Sequence, residues 1–303
     1  MTRWLVASGA LNTPFVLVDV GVQDGVSSRW QALGDHLTVY GFDLLEEAIA
    51  PLVAGANQNC HYFAMGLGDI DSEIEIVVPA NRYETQLYSS GPGERRRVQV
   101  RRLDTLFNQG AIARADFIKA DCEGFEPLIL RGAAEYFAAS NLVGADIESN
   151  FNLSPVVPNT HLVECCSPLV RQRLIVFDLE FNRVPVLNLP TLARQSVHRP
   201  ATLNVLFARH LTQERDSPGS YVHRLAEQPV GHQTILKTAI VLEAYGLLEW
   251  AAYLLRNFAS EIGAVVDVDR AVAKLKLPAL RRWRHLPILA PLRATRRYLH
   301  RRP

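Results

Sequence analysis

The sequence lacks most of the features that assign a chain to a class at a glance. No run of about 20 apolar residues occurs, which removes the ordinary membrane-spanning helix. The opening MTRWLVASGALNTPF has one Arg and no sustained apolar stretch, so it does not read as an export signal. Only four cysteines are present: Cys60, Cys122, Cys165 and Cys166. They form no CxxC pair and no His/Cys spacing suited to zinc, and the adjacent pair is poorly placed to bridge itself. Reduced thiols in a cytoplasmic protein are the expectation. Charge of one sign is also missing: 32 Lys+Arg face 31 Asp+Glu, a net charge of +1, which gives no global reason for nucleic-acid binding. There is no internal repeat, no low-complexity segment and no G-x-G-x-x-G, whose absence argues against a dinucleotide fold.

What is present is a chain of 303 residues, 48% hydrophobic, long enough for a large core and too long for a minimal single domain. Its first two-thirds alternates short apolar runs with amphipathic stretches, the pattern of βαβ units on a parallel sheet. Strands are expected at 15–20 (FVLVDV), 37–42, 61–65, 115–120 (ADFIKA), 141–147, 174–179 and 201–208. Residues 72–78 (SEIEIVV) alternate as a strand with one solvated face does, and 98–100 is short enough only to pair back on it. Helices are expected at 27–33, 44–53 and 125–139, and one long helix at 233–259. Residues 212–219 are charged and carry Pro218 and Gly219, so a boundary falls near 210.

Three clusters carry chemistry. Val18-Asp19-Val20-Gly21-Val22-Gln23-Asp24-Gly25 runs from a strand into a loop whose glycines let the backbone approach a ligand, ahead of a helix with free N–H groups. Asp43 ends the next strand; it either accepts the two hydroxyls of a ribose or caps the following helix. Phe117-Ile118-Lys119-Ala120-Asp121-Cys122-Glu123-Gly124-Phe125-Glu126-Pro127 places three carboxylates just past the carboxyl end of a strand, where open α/β sheets bind ligands, and Glu148 lies past the next strand. Asp121 and Glu123, then Glu148, are candidates for a general base or for positioning an acceptor. Glu123 and Glu126 equally suit the positive end of the helix that follows. Lys119 neutralises a nearby carboxylate or points to solvent. Asp121, Glu148 and Asn150 are oxygen donors on adjacent strand ends, but nothing in their spacing demands a metal.

This third cluster, continued by Leu130-Arg131-Gly132-Ala133, resembles the I-K-x-D-x-E-G-x-E…L-x-G-A segment of FkbM-type methyltransferases. The same family's glycine loop, its acidic second-strand end, its short G-D and its L-D-T-L resemble Asp19 to Gly25, Asp43, Gly68-Asp69 and Leu103-Asp104-Thr105-Leu106, in order, across residues 15–148. The departures are Val22-Gln23 for the usual Ala-Asn, and Asp43 for the usual Glu. The resemblance implies a Rossmann-like class I methyltransferase fold: α/β, a mostly parallel seven-stranded sheet with helices on both faces, plus a C-terminal helical extension. With the boundary near 210, the chain divides into a methyltransferase domain (1–210) and a helical extension (211–303) that lies largely outside the resemblance. It implies S-adenosyl-L-methionine as cofactor, with Asp19, Gly21 and Gly25 beside the methionine part, Asp43 on the ribose, Asp69 on the adenine and Asp121 at the reacting end. It implies O-methylation of a sugar hydroxyl in polysaccharide or glycolipid biosynthesis, or of a small secondary metabolite. A cofactor-binding scaffold without turnover stays open, as does a homo-oligomer.

The C-terminal end reads LPALRRWRHLPILAPLRATRRYLHRRP, with Arg281, Arg282, Arg284, Arg293, Arg296, Arg297, Arg301 and Arg302 interleaved with Trp283, Ile288, Leu289, Leu292, Tyr298 and Leu299. Pro278, Pro287 and Pro291 interrupt any long helix. Such a tail suits an anionic membrane surface, nucleic acid, or a solvated or oligomer-facing segment. The resemblance favours the first, since it implies lipid-linked sugar acceptors at the inner membrane, and makes the expected location cytoplasmic with peripheral association at the inner face of the membrane.

Overall fold

The computed structural model describes residues 1–79, 92–122, 124–150, 162–185, 198–209, 211 and 230–276. Seven strands form the central sheet: β1 (Phe15–Val20), β2 (Leu37–Asp43), β3 (Cys60–Ala64), β7 (Phe117–Ala120), β8 (Gly144–Asn150), β9 (Leu174–Pro185) and β10 (His198–Arg209). Their order is β3-β2-β1-β7-β8-β10-β9. The first five are parallel, and β10 is antiparallel to both β8 and β9. A smaller sheet, ordered β4-β6-β5, is built from Gly66–Leu67, Glu94–Arg101 and Ser72–Val78 respectively.

The apolar runs form buried strands because both faces of the sheet are covered, so each parity of the strand needs an apolar partner. On one face Val18, Val20, Ile118, Ala120, Ala145 and Ile147 pack with α3 (Leu103–Asn108), α4 (Glu126–Arg131), α5 (Ala134–Ala139) and α6 (Leu162–Arg171). On the other, Phe15, Leu17, Val39, Phe117, Leu206 and Ala208 pack with α1 (Thr2–Ala7), a 3-10 segment (Ser28–His36), α7 (His232–Ala244), α8 (Leu248–Asn257) and α10 (Val268–Lys274). Trp30 sits at the centre of this second face, 5.2 Å from the Phe15 ring and 5.0 Å from the Phe117 ring. The described residues after 211 therefore complete the core of the sheet. Lys237 of α7 donates to Asp116 Oδ2 at 2.8 Å and to the Pro14 carbonyl at 2.7 Å, at the entries to β7 and β1.

The structure corrects three helix expectations. The stretch at 125–139 is two helices, α4 and α5, because Gly132 stops the first. A Cβ on Gly132 would lie 1.9 Å from the Gly68 carbonyl oxygen, so only glycine admits the neighbouring loop at this C-cap. The stretch at 233–259 is α7, α8 and the short α9 (Ala259–Ile262), with Gly246 at φ +75° turning the chain after α7. The stretch at 27–33 is the 3-10 segment, which runs to His36 across a non-helical Gly34. Residues 98–100 belong to a longer strand, β6, whose Arg95 and Arg97 face Glu75 and Glu73 across the pair with β5.

Candidate active site

The glycine loop follows β1 and is shaped by contact. Gly21 lies at φ +80°, and a Cβ there would sit 2.1 Å from the Asp121 carbonyl oxygen. Gly21 and Val22 both donate to the Phe42 carbonyl, at 2.9 and 3.1 Å, which draws the loop over the ends of β1 and β2. Gly25 lies at φ +85° and donates to the Val22 carbonyl at 2.8 Å. Both positions require a positive φ, which L side chains disfavour.

The loop borders a cleft of about 340 Å³ at the carboxyl ends of the parallel strands. Gly21, Gln23, Asp24 and Gly25 form one side; Phe42, Asp43, Leu44 and Leu45 follow β2; Met65, Gly66 and Leu67 follow β3; and Lys119, Asp121, Cys122, Phe125 and Ile129 close it from β7 and α4. The lining thus mixes apolar side chains with the charged groups of Asp24, Asp43, Lys119 and Asp121. Ligand clefts that bury a flat ring and orient it with a few polar groups are built in this way.

Of the residues expected from sequence, Gly21, Gly25, Asp43 and Asp121 meet in this cleft. Asp43 Oδ1 accepts from Leu45 N–H at 2.9 Å, closing the turn ahead of α2 (Glu46–Ala54) without capping that helix, whose N-cap is Leu45, and Asp43 also lines the cleft. A carboxylate has room for more than one donor, so this turn and a ribose contact are compatible. Asp19 lies beneath the loop at 5% exposure and does not line the cleft. Burial pushes its carboxyl up to about 6, against the pull of Lys119. Asp69 is held by Arg131, at 3.2 Å from both Nε and Nη2, and lies outside the cleft lining. Glu148 is placed on β8 opposite Asn204 of β10 and is likewise outside the lining. Glu123 lies outside the described residues, as does the Arg-rich tail.

Glu126 has a structural task. It is 1% exposed, and its Oε1 accepts from Cys122 N–H at 2.7 Å, which fixes the loop that presents Asp121. Burial raises its carboxyl to about 7. Burial also pushes the Cys122 thiol well up, so that sulfur is no ready nucleophile. All four cysteines are free thiols. Among the described residues no group of three His, Cys, Asp or Glu side chains is placed to hold a metal ion.

A polar row escaped the sequence reading. Asp19, Lys119 and Asp146 are paired in register on β1, β7 and β8. Asp146 Oδ2 accepts from Tyr245 Oη–H at 2.7 Å and lies 3.7 Å from Arg29 Nη1, while the Arg29 guanidinium stacks 4.1 Å over the Tyr245 ring. The available signal was parity: Lys119 and Asp121 share a face of one strand, the face that Phe117 buries.

Topology and cleft together define a class. A seven-stranded sheet whose last strand enters antiparallel, with a glycine loop after the first strand and an acidic residue after the second, is the architecture of S-adenosylmethionine-dependent methyltransferases. The comparison agrees with that architecture: residues 19–161 match the family model described as the methyltransferase FkbM domain. No curated protein matches the chain. Among solved structures, it is similar to methyltransferase FkbM from Methylobacillus flagellatus (14% identity, 63% of this chain and 43% of that one, TM-score 0.36). It is also similar to an S-adenosylmethionine-dependent methyltransferase from Mesorhizobium loti (14%, 69% and 98%, TM-score 0.36). A third likeness is to the 1,6-didemethyltoxoflavin-N1-methyltransferase of Burkholderia thailandensis, solved with S-adenosylhomocysteine bound (13%, 69% and 76%, TM-score 0.30). The chain thus spans less than half the length of the first of these.

Proposed function

We propose that this chain binds S-adenosyl-L-methionine in the cleft between Gly21 and Asp121 and transfers its methyl group to a hydroxyl oxygen, that of a sugar in polysaccharide or glycolipid biosynthesis. The observation that carries the reading is the cleft of about 340 Å³ at the carboxyl ends of the parallel strands, bordered by the glycine loop and lined by Asp43 and Asp121. The residues fit the cofactor. Gly21 and Gly25 expose backbone to its methionine part, Asp43 offers a carboxylate to the ribose diol, and Phe42, Met65, Leu67, Phe125 and Ile129 offer the apolar surface an adenine ring needs.

When bound, the cofactor supplies an electrophilic methyl on a sulfonium. The chain's part is to align the acceptor oxygen with it, worth up to about 7–11 kcal/mol in well-oriented cases, and to take the hydroxyl proton. Asp121 is the residue placed for that proton: its side chain is 41% exposed, at the cleft, and Lys119 Nζ lies 3.4 Å from Oδ2. The bond that forms is carbon to acceptor oxygen, the bond that breaks is carbon to sulfur, and the proton passes to the Asp121 oxygen.

The assay is transfer of isotopically labelled methyl to a panel of sugars, nucleotide sugars and phenolic small molecules. Label in a sugar ether supports the proposal in full, and label only in a small-molecule hydroxyl replaces the sugar. Asp121→Asn should lower kcat by about 10²–10⁴-fold with cofactor affinity kept within a few-fold. An unchanged kcat removes Asp121 as the base.

A further inference from the structure

We propose that Lys119 is the positioning residue of this cleft: its ammonium ties the Gly21 carbonyl of the glycine loop to the carboxylates of Asp121 and Asp19, fixing the loop's shape and the charge of the pair together. The inference rests on the reading of the cleft as a cofactor site. Lys119 Nζ lies 3.3 Å from the Gly21 oxygen, 3.4 Å from Asp121 Oδ2 and 3.7 Å from Asp19 Oδ1. These acceptors belong to the loop after β1, the end of β7 and β1 itself, so one side chain spans three segments. Lys119 is about one-quarter exposed; its partial burial disfavours the ammonium, and the carboxylates of Asp19 and Asp121 more than offset that and raise its proton affinity above the ordinary value.

The groups around Asp19 make Lys119 hard to replace. Lys119 and Asp121 face it from β7, Asp146 from β8 and Tyr62 from β3. Arg29, from the 3-10 segment, is engaged by Asp146 and by the ring of Tyr245, which itself donates to Asp146. Among the described residues Lys119 is therefore the cation left for Asp19, whose Oδ1 has no hydrogen-bond partner there. In register Lys119 stands between Asp19 and Asp146, so its loss would leave three carboxylates close together beneath the loop. Like charges so placed cannot all stay ionised, and the most buried, Asp19, takes up a proton.

The test is carboxyl-carbon NMR of Asp19 in the free protein, with calorimetric titration of S-adenosylhomocysteine from pH 5.5 to 9, for wild type, Lys119→Met and Lys119→Arg. In wild type, affinity should rise with pH through the Asp19 midpoint and then level off. In Lys119→Met the Asp19 midpoint should move above 7, binding at pH 7 should weaken about tenfold, and the rise with pH should move with the midpoint. Lys119→Arg should restore the wild-type profile. An Asp19 midpoint unchanged in Lys119→Met, or a loss of affinity equal at every pH and shared by Lys119→Arg, would overturn the proposal in favour of simple packing. If wild type does not bind the ligand, the cleft reading has failed, and the NMR midpoints still decide the role of Lys119. If Lys119→Met does not fold, Lys119→Gln takes its place.

Discussion

Gly21 and Asp121 touch backbone to backbone: a Cβ on Gly21 would lie 2.1 Å from the Asp121 carbonyl oxygen. The cofactor loop and the strand end bearing the proposed base are thus one packed unit. Gly21→Ala must both move the Asp121 segment and strain a φ of +80°, so we expect a stability loss of about 1–3 kcal/mol and loss of cofactor binding. Gly25→Ala carries a similar φ strain, at +85°, but its Cβ meets only an ordinary contact, 3.4 Å from Leu52, so it should cost less on both counts. Thermal denaturation and cofactor titration of the two variants measure the contrast.

Glu126 predicts a pH dependence of stability. Its carboxyl is raised by burial from 4.5 to about 7 in the folded chain. Between these values the unfolded chain releases the proton while the folded chain keeps it, so unfolding becomes easier as pH rises. The contribution lost is on the order of 3 kcal/mol, complete above about pH 7. Glu126→Gln keeps an acceptor for the Cys122 N–H and removes the titration. Denaturant unfolding at pH 4.5 and pH 8 should therefore differ less in the variant than in wild type, with an equal difference contradicting the assignment.

Lys237 and Asp116 form a buried ion pair, with side chains 9% and 11% exposed. Burial raises the Asp116 carboxyl, against the pull of Lys237. Lys237→Met leaves that carboxylate without its cation and should cost about 3–5 kcal/mol. Adding Asp116→Asn should recover part of the loss, which a double-mutant cycle in denaturant would read directly.

The sheet was legible in the sequence because burial on both faces writes itself as runs such as FVLVDV and ADFIKA. Gly21, Gly25, Asp43 and Asp121 were legible because a strand-to-loop transition fixes their place whatever packs around them. The breaks at Gly132 and Gly246 were not. The first depends on the Gly68 loop, 64 residues away in the chain, and the second on a turn within an apolar run that periodicity alone reads as continuous. The Asp146–Tyr245–Arg29 group was hidden for the same reason: its members come from β8, the end of α7 and the 3-10 segment, and only the fold brings them together.

The Arg-rich tail gives a separate prediction. The chain's net charge is +1, and the eight arginines of residues 277–303 face no Asp or Glu there, which leaves −7 for the remainder. We propose that this tail lies on an anionic membrane surface, each basic residue adding roughly 1 kcal/mol. Full-length protein should sediment with phosphatidylglycerol-containing vesicles and not with phosphatidylcholine alone, and salt should release it. Replacing Arg281, Arg282 and Arg284 with Ser should weaken the association. Equal binding to both vesicles would contradict the electrostatic account. Among the described residues no helix is long and apolar enough to cross a membrane.

The central claim is that the cleft between Gly21, Asp43 and Asp121 holds the methyl donor, and calorimetric titration with S-adenosylmethionine and S-adenosylhomocysteine tests it most directly. The account predicts micromolar binding by wild type, lost in an Asp43→Ala variant that melts like wild type. Absence of binding by a folded wild type, or binding untouched by the variant, would contradict it.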